Sequence, residues 1–218
     1  MDSFYHAIQT ICVYAIPLIF AITLHESAHG WAAGRLGDPT ATMLGRVTIN
    51  PIPHIDPIGT ILIPVVLYFA TSGSFLFGYA KPVPVNFGRL RNPKADMLWV
   101  AAAGPLANLA MAIGWALLFR LAVLISDSEY AIPLARMADA GMQINAVLMI
   151  LNLLPLPPLD GGRIAVSLLP AGPAYKFAQL EPYGFPILLL LLFTGILGDI
   201  LGPLVAIFRF VLAIVFGL

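Results

Sequence analysis

Charged residues and cysteine are both scarce in this sequence. Charged side chains make up 10% of the 218 residues, whereas an average soluble domain has about 25%. The single cysteine, Cys12, cannot form a disulfide within the chain, so a fold stabilised by internal disulfides is excluded. The 11 basic and 11 acidic residues balance to a net charge of zero, and no basic tract is present. This balance argues against nucleic acid as a partner.

Apolar residues are abundant instead, at 60% of the chain. A helix needs about 20 apolar residues to cross a hydrocarbon core of about 30 Å. We therefore predict an all-α polytopic membrane protein in a lipid bilayer, with five to six transmembrane helices. The five clear runs are 4–33, 97–125, 140 to about 152, 182–198 and 200–218, and a sixth, 58–70, is ambiguous. We expect one membrane domain over 1–218, with a core at 4–163 and accessory helices at 164–218.

The most informative stretch is the H-E-x-x-H motif His25-Glu26-Ser27-Ala28-His29, near the end of the first apolar run. In a helix, His25 and His29 lie one turn apart on the same face, where two imidazoles can bind one Zn²⁺. Glu26 lies beside them and can act as the base that removes a proton from water. Histidine and glutamate are costly inside a membrane, and those that are kept there are functional by default. The motif therefore predicts a hydrolytic metal site.

A second polar stretch, Asn152–Arg163, ends the fourth apolar run. Pro155, Pro157 and Pro158 interrupt the helix there, and Asp160 is then followed by two glycines. A catalytic zinc site takes three protein ligands and leaves one position open, so Asp160 is the candidate third ligand. The plainer alternative is an aspartate at the membrane interface. The end of a helix does not require a carboxylate after a proline-interrupted span, so this position favours a ligand over a plain interfacial aspartate.

Other polar features could serve the same site. His54 and Asp56 lie in a proline-rich loop and could bind or gate something near the metal, or could be loop residues at the water interface. Lys81–Asn86 begins Lys81-Pro82-Val83 and contains two prolines, which predicts an extended segment. A short membrane-associated β element there could pair with an unwound peptide. Asn108 could hydrogen-bond to a neighbouring helix, orient a group of the site or contribute to substrate binding.

The basic residues predict how the chain is oriented. Cytoplasmic loops of membrane proteins carry an excess of Lys and Arg. The side of the motif ends holds Arg35, Arg46, Lys81, Arg89, Arg91, Lys94, Arg163 and Lys176. The opposite side, around Asp127, has only Arg120 and Arg136. We expect the N-terminus outside and the metal site towards the cytoplasm. If both flanks of 58–70 are cytoplasmic, that run is a re-entrant segment.

The two motifs together resemble those of the site-2 protease family of intramembrane zinc metalloproteases. That family has H-E-x-x-H on one helix and an N-x-x-P-x-x-x-x-D-G pattern on a later one, and Asn152–Gly161 matches the second. The resemblance covers about Ile22 to Arg163. It is closest to small prokaryotic members, and this chain has neither the PDZ nor the CBS module that many members carry. A prokaryotic plasma membrane is therefore the expected location.

The resemblance also implies roles for individual residues. His25, His29 and Asp160 would bind one zinc ion per chain, and Glu26 would be the catalytic base. Asn152 matches a family position implicated in substrate binding. The segment with Lys81, Pro82 and Val83 resembles the family's membrane-associated β element, which is thought to hold the substrate. The implied reaction is hydrolysis of peptide bonds within or near transmembrane segments of a substrate protein.

Two other functions compete with a protease. Intramembrane histidine and aspartate also line ion pathways, so a zinc-binding membrane transporter or channel is one alternative. A catalytically silent membrane scaffold is the other. Glu26 beside the histidines favours hydrolysis over both, since neither alternative needs a base at that position. Neither the substrate nor the oligomeric state follows from the sequence.

Overall fold

The computed structural model describes residues 2–63, 66, 69 and 78–218, with the backbone alone for 2–12 and 61. The described part of the chain is mainly helical and contains no β-strand. Its α-helices are α1 (Asp2–Arg35), α2 (Thr40–Met43), α3 (Pro93–Leu124), α4 (Ala131–Leu153), α5 (Asp160–Leu168), α6 (Ala171–Ala178), α7 (Glu181–Phe193) and α8 (Ile196–Phe216). Short 3₁₀ turns at Ile52–His54 and Phe87–Arg89, and a π-helical turn at Pro57–Leu62, lie between α2 and α3.

Three of these helices, α3, α4 and α8, are long and apolar enough to cross a membrane. The number rises to four if α6 and α7, which are bent by 60° relative to each other, form one broken span. Helix α1 carries the first apolar run and has 34 residues, a length of about 50 Å, but its first side chains are not described. An all-helical membrane fold is therefore confirmed, with fewer candidate spans than the five to six predicted.

The predicted span at 182–198 is one source of this difference. Helix α7 has only 13 residues, a length of about 20 Å, which is short for a hydrocarbon core of about 30 Å. It ends before Gly195, whose φ of 81° is left-handed and is typical of a helix end. Several residues of the ambiguous run 58–70 lie outside the described residues, so the re-entrant segment stays a prediction.

Helix α3 is central to the described fold because it packs against α1, α4 and α5. Its buried face carries small residues. Ala112 and Ala116 have no exposed surface and form one cluster with Met142 of α4 and Leu212 of α8. Small side chains let membrane helices approach closely. This close packing brings the motif of α1 and the end of α4 to the same region.

Two glycines bring the helices of this region into contact. A Cβ atom at Gly104 of α3 would lie 2.6 Å from His25 Nε2 and would also clash with His29 Nε2. A Cβ atom at Gly161 of α5 would clash with the carbonyl oxygens of Leu153 and Leu154, at the end of α4. Helix α3 can therefore lie directly on the imidazoles, and the first turn of α5 can lie against α4.

The predicted β element at Lys81–Asn86 is not present in the described residues. The segment has no regular secondary structure there. Pro82 and Pro84 lack amide hydrogens, so they cannot donate to a ladder. Three other polar groups of the segment bind side chains instead. Val83 N donates to Glu26, Asn86 N donates to Asp38, and the Lys81 carbonyl accepts from Arg46.

Candidate metal centre

Three side chains from two distant parts of the chain converge on one point. His25 Nε2 and His29 Nε2 of α1 are 3.1 Å apart. Asp160 Oδ2, at the first residue of α5, is 3.2 Å from the former and 3.4 Å from the latter. Ligands at 2.0–2.1 Å from a tetrahedral Zn²⁺ lie roughly 3.3 Å from one another. The three atoms thus have the mutual spacing that a metal ion requires, and the group can hold one.

The charge state of this group also suits a metal. Burial alone would raise the pKa of Asp160, but the adjacent His25 and His29 lower the pKa to about 2. The carboxylate is therefore ionised near neutral pH. Its Oδ2 atom is buried and accepts no hydrogen bond from any residue that the structure describes. A buried anionic oxygen of this kind needs a positive partner.

The outer nitrogen of each imidazole is held by an acceptor. His25 Nδ1 lies 2.6 Å from Asn108 Oδ1, and His29 Nδ1 lies 2.7 Å from the Val100 carbonyl oxygen. Because both partners are acceptors, each Nδ1 carries the hydrogen, and in the neutral rings each Nε2 has the lone pair that a metal ligand needs. Such acceptors fix the tautomer and the ring orientation of metal-binding histidines. The two Nε2 atoms therefore face each other and Asp160 as ligands.

Asn108 is itself fixed by a buried amide network. Its Nδ2 atom donates to Asn145 Oδ1 at 3.0 Å and to the Ala21 carbonyl oxygen at 3.3 Å. Asn145 in turn donates to the Gly141 carbonyl oxygen at 2.9 Å. Neither asparagine has exposed surface. The structure thus places Asn108 behind His25, away from the cavities beside the metal group, where it joins α1, α3 and α4.

Glu26 lies between the metal group and the segment at 81–86. Its Oε2 atom accepts a hydrogen bond from the Val83 backbone amide at 2.8 Å. The side chain borders both cavities that adjoin the histidines. Glu26, which follows His25 in the sequence, is therefore held in place and faces open space. A base that acts on a substrate needs both features.

The larger of these cavities, about 580 Å³, lies beside His25 and Glu26. Its walls are mainly apolar and include Ile22, Leu148, Leu151, Phe185 and Leu188. The smaller, about 150 Å³, is lined by all three members of the metal group and by Glu26. Asn152 and Pro82 line both, and Val83 lines the smaller. Lys81 is not among the lining residues of either.

The two loop residues of the proline-rich stretch do not join the metal group. His54 is 2% exposed, and neither ring nitrogen makes a hydrogen bond with the described residues. Burial and the Arg46 charge lower the pKa of His54, against the opposite effect of Thr48 and Glu26. The ring is therefore neutral near pH 7. Asp56 accepts hydrogen bonds from Ile58 N at 3.0 Å and Gly59 N at 2.7 Å, so it caps the turn that follows.

Several residues of the site were not predicted from the sequence. The Val100 carbonyl oxygen carries no side-chain signal, so no pattern could indicate it. Asn145 could have been found as a second polar residue inside an apolar helix. Arg163 lines both cavities and follows Asp160 by three positions. Its guanidinium lies 5.3 Å from the centroid of the Phe87 ring, and a basic residue so close to a candidate ligand was a usable signal.

Comparison with curated proteins gives relatives of one kind. A Bacillus subtilis protein named "Putative zinc metalloprotease YwhC" is 40% identical over 208 residues, which is 94% of this chain and 91% of that protein. "Putative zinc metalloprotease Rip2" of Mycolicibacterium smegmatis is 32% identical over 182 residues, or 83% and 66%. Rip2 of Mycobacterium tuberculosis is 34% identical over 144 residues, or 66% and 52%. No family model and no solved structure matches the chain.

The match to the Bacillus protein covers nearly the whole of both chains, so it includes the H-E-x-x-H helix and the turn that carries Asp160. The relatives' names specify zinc, and the spacing of the three ligand atoms fits that ion. The apolar helices fit insertion in a membrane. This chain belongs to the site-2 protease family of zinc metalloproteases.

Proposed function

We propose that this chain is an intramembrane zinc metalloendopeptidase that hydrolyses peptide bonds within or near transmembrane segments of other membrane proteins. The observation that carries the proposal is the position of Glu26. It directly follows one member of a three-residue metal group, and its carboxylate borders the cavities beside that group. The transporter and the silent scaffold receive no support from the relatives' names, which all specify a metalloprotease.

The residues have distinct roles in this reaction. His25, His29 and Asp160 would hold the metal, and zinc bound there would supply a Lewis acid that polarises the scissile carbonyl and makes water more acidic. Glu26 removes a proton from the attacking water as its oxygen adds to the carbonyl carbon. The same carboxyl group then gives that proton to the departing nitrogen as the carbon–nitrogen bond breaks. Val83 N–H holds Oε2 throughout, which leaves Oε1 for the proton.

The larger cavity supports an apolar, locally unwound substrate. Its walls are mainly hydrocarbon, as suits side chains from a transmembrane segment. A peptide bond inside a helix is hydrogen-bonded and shielded, so the substrate must unwind near the site before water can attack. Asn152, Pro82 and Val83 border the cavities and are proposed to contact the unwound stretch, with Lys81 at its outer end.

The placement in the membrane is also a proposal. One membrane domain with a core at 4–163 and accessory helices at 164–218 agrees with the packing of α8 on α4 and α3. The basic residues near the metal group support a site towards the cytoplasm of a prokaryotic cell. This orientation can be tested in intact cells with a cysteine reagent that does not cross the membrane. The reagent would be applied to a variant with a cysteine in place of exposed Arg91 and, as the opposite-side control, to one with a cysteine in place of Glu129.

A glutamate-to-glutamine substitution tests the catalytic proposal. The probe is a set of apolar single-span peptides with a fluorophore and a quencher, presented in detergent micelles with purified protein. We expect Glu26→Gln to lose cleavage by at least about 100-fold and to keep about one zinc ion per chain. Glu129→Gln makes the same exchange of a carboxylate oxygen for an amide nitrogen at an exposed loop position and serves as the matched control. Equal cleavage by Glu26→Gln and wild type would exclude Glu26 as the base.

A further inference from the structure

Arg46 is a buried cation outside the metal group. It is 9% exposed, and its Nη2 atom donates to the Lys81 carbonyl oxygen at 2.8 Å and to the Pro82 carbonyl oxygen at 3.3 Å. Arginine is almost never buried without such partners. Its two acceptors are the carbonyl groups that come immediately before Val83. The guanidinium therefore acts on the same stretch of backbone that contacts Glu26.

The Pro82 carbonyl and the Val83 amide belong to one peptide unit. A peptide unit is planar, and its C=O and N–H point in opposite directions when it is trans. A hydrogen bond to the Pro82 oxygen therefore limits the direction in which the Val83 N–H points. That N–H donates to Glu26 Oε2 at 2.8 Å. Arg46 and Glu26 thus bind opposite edges of one rigid peptide plane, at its carbonyl oxygen and its amide hydrogen.

Other contacts hold the two ends of the same segment. Lys81 N donates to the His54 carbonyl oxygen at 3.0 Å, and Asn86 N donates to Asp38 Oδ2 at 2.6 Å. Pro82 and Pro84 further restrict the backbone because their φ angles are fixed near −65°. With its ends held, the Pro82–Val83 plane is bound by two side chains among the described residues, Arg46 at the carbonyl and Glu26 at the amide, and Arg46 limits the tilt of the plane from the carbonyl side.

We propose that Arg46 is a positioning residue for hydrolysis, which orients the Glu26 carboxylate through the Pro82–Val83 peptide plane. The inference rests on the proposed role of Glu26 as the base. Arg46 lines neither cavity, so it contributes to turnover by aligning Glu26 and has no contact with the substrate. A misplacement of about 1 Å at a reacting group can reduce a rate by roughly 100-fold.

The first test compares Arg46→Met with Arg46→Lys and uses Arg136→Met, an exposed arginine at the start of α4, as the matched control. With the peptide probes above, we expect Arg46→Met to lower kcat by about 10-fold to 100-fold. KM and zinc content should stay near wild type. Arg46→Lys keeps the charge and a donor, so it should recover part of the loss. Parallel losses of kcat, zinc and thermal stability in both variants would indicate a merely structural role and overturn the proposal.

A double-mutant cycle tests the path through the backbone. Val83→Pro removes the amide that binds Glu26, whereas Val83→Ala keeps that amide and measures the effect of the side chain alone. If Arg46 acts through this amide, Arg46→Met should cause little further loss in Val83→Pro but its full loss in Val83→Ala. Multiplicative losses in both backgrounds would show that Arg46 acts by another route.

A spectroscopic measurement keeps this inference separate from the proposed function. In protein labelled with ¹⁵N-valine, the Val83 amide signal can be assigned by its absence in Val83→Ala. We expect that signal to move in Glu26→Gln and in Arg46→Met, and to stay in place in Arg136→Met. Movement without any cleavage by the wild type would support the contact and refute the protease proposal. An unmoved signal in Arg46→Met would overturn the inference even if the wild type is an active protease.

Discussion

The side-chain amide of Asn108 lies behind the imidazole of His25, with Oδ1 at 2.6 Å from Nδ1. The two residues are 83 positions apart, on α3 and α1. This contact determines which imidazole nitrogen faces Asp160. It also couples the metal group to the buried amide of Asn145, so three helices determine the orientation of one ligand.

Substitution of Asn108 should weaken zinc binding without removing a ligand. Loss of an outer partner of a metal-bound histidine typically costs about 10-fold to 100-fold in metal affinity. We expect that range for Asn108→Ala, measured by competition with a chelator of known affinity. Asn108→Asp keeps an acceptor for His25 Nδ1 and should lose less. Asn92→Ala, at an exposed position before α3, is the control, and equal affinity in all four proteins would rule out an orienting role for Asn108.

Gly104 should not tolerate even the smallest side chain. In Gly104→Ala, the added methyl group would lie 2.6 Å from His25 Nε2 and would clash with His29 Nε2, so the helices must separate or the rings must turn. We expect loss of zinc and of cleavage. Gly114→Ala lies ten positions along the same helix, where an added Cβ would meet no described atom within 4 Å beyond its own stretch of helix. It should retain zinc and gain slight stability from helix propensity. Zinc contents that match in the two variants would contradict the close packing of α3 on the histidines.

The local residue pattern was sufficient to predict the metal group. Two histidines one helical turn apart, with Glu26 between them, have few structural reasons to lie in an apolar helix, and Asp160 follows a proline-broken span. The structure brings the three candidate ligands within reach of one metal ion. What the sequence could not show was the set of partners that orients them. The Val100 carbonyl oxygen belongs to the backbone, and the contact of Asn108 with His25 depends on how α3 packs against α1.

The helical membrane fold was predicted from composition. The described residues contain three or four candidate spans, fewer than the five to six that were predicted. An apolar run shows that a stretch avoids water without showing where its helix ends. The run at 182–198 is interrupted in the structure at Gly195, which adopts a left-handed backbone. The prolines at 82 and 84 were expected to keep the segment at 81–86 out of a helix, and it is not helical. Its side-chain partners are Glu26, Arg46 and Asp38, and no pairing rule connects those positions in the sequence.

Asp38 should make the stability of the protein depend on acid pH. Burial alone would raise the pKa of this carboxyl, but hydrogen bonds from Thr40 and the Asn86 amide lower the pKa below its usual 3.8. A group whose pKa is lower in the folded state stabilises the protein above its unfolded pKa and loses that effect as the pH falls through the folded value. We expect Asp38→Asn to unfold at a lower temperature than wild type at pH 7. The free energy of unfolding should be lower by about 1–3 kcal/mol.

The difference between Asp38→Asn and wild type should become smaller as the pH falls below 3.8, since the carboxyl of the unfolded wild type then takes up a proton before that of the folded protein does. Thermal unfolding in detergent at a series of pH values measures this. Asp127→Asn, at an exposed loop position, is the matched control and should follow the wild type throughout. A stability difference for Asp38→Asn that is constant with pH would show that the charge of Asp38 contributes nothing.

The last prediction concerns an ion pair between α4 and α8. Arg209 of α8 contacts Asp139 of α4, and its second nitrogen donates to Gln143 Oε1 at 3.0 Å. A charge within a membrane helix is costly when it stands alone, so removal of one partner should harm the fold more than removal of both. We expect Asp139→Asn and Arg209→Met each to lower the unfolding temperature in detergent, and the double variant to recover part of that loss. Arg120→Met, which removes an exposed arginine bonded to the Gly217 carbonyl oxygen at 3.2 Å, provides the comparison for an arginine that forms no ion pair with the described residues. Losses that simply add in the double variant would mean that the two charges act independently, and α8 would then be held to α4 by its apolar contacts alone.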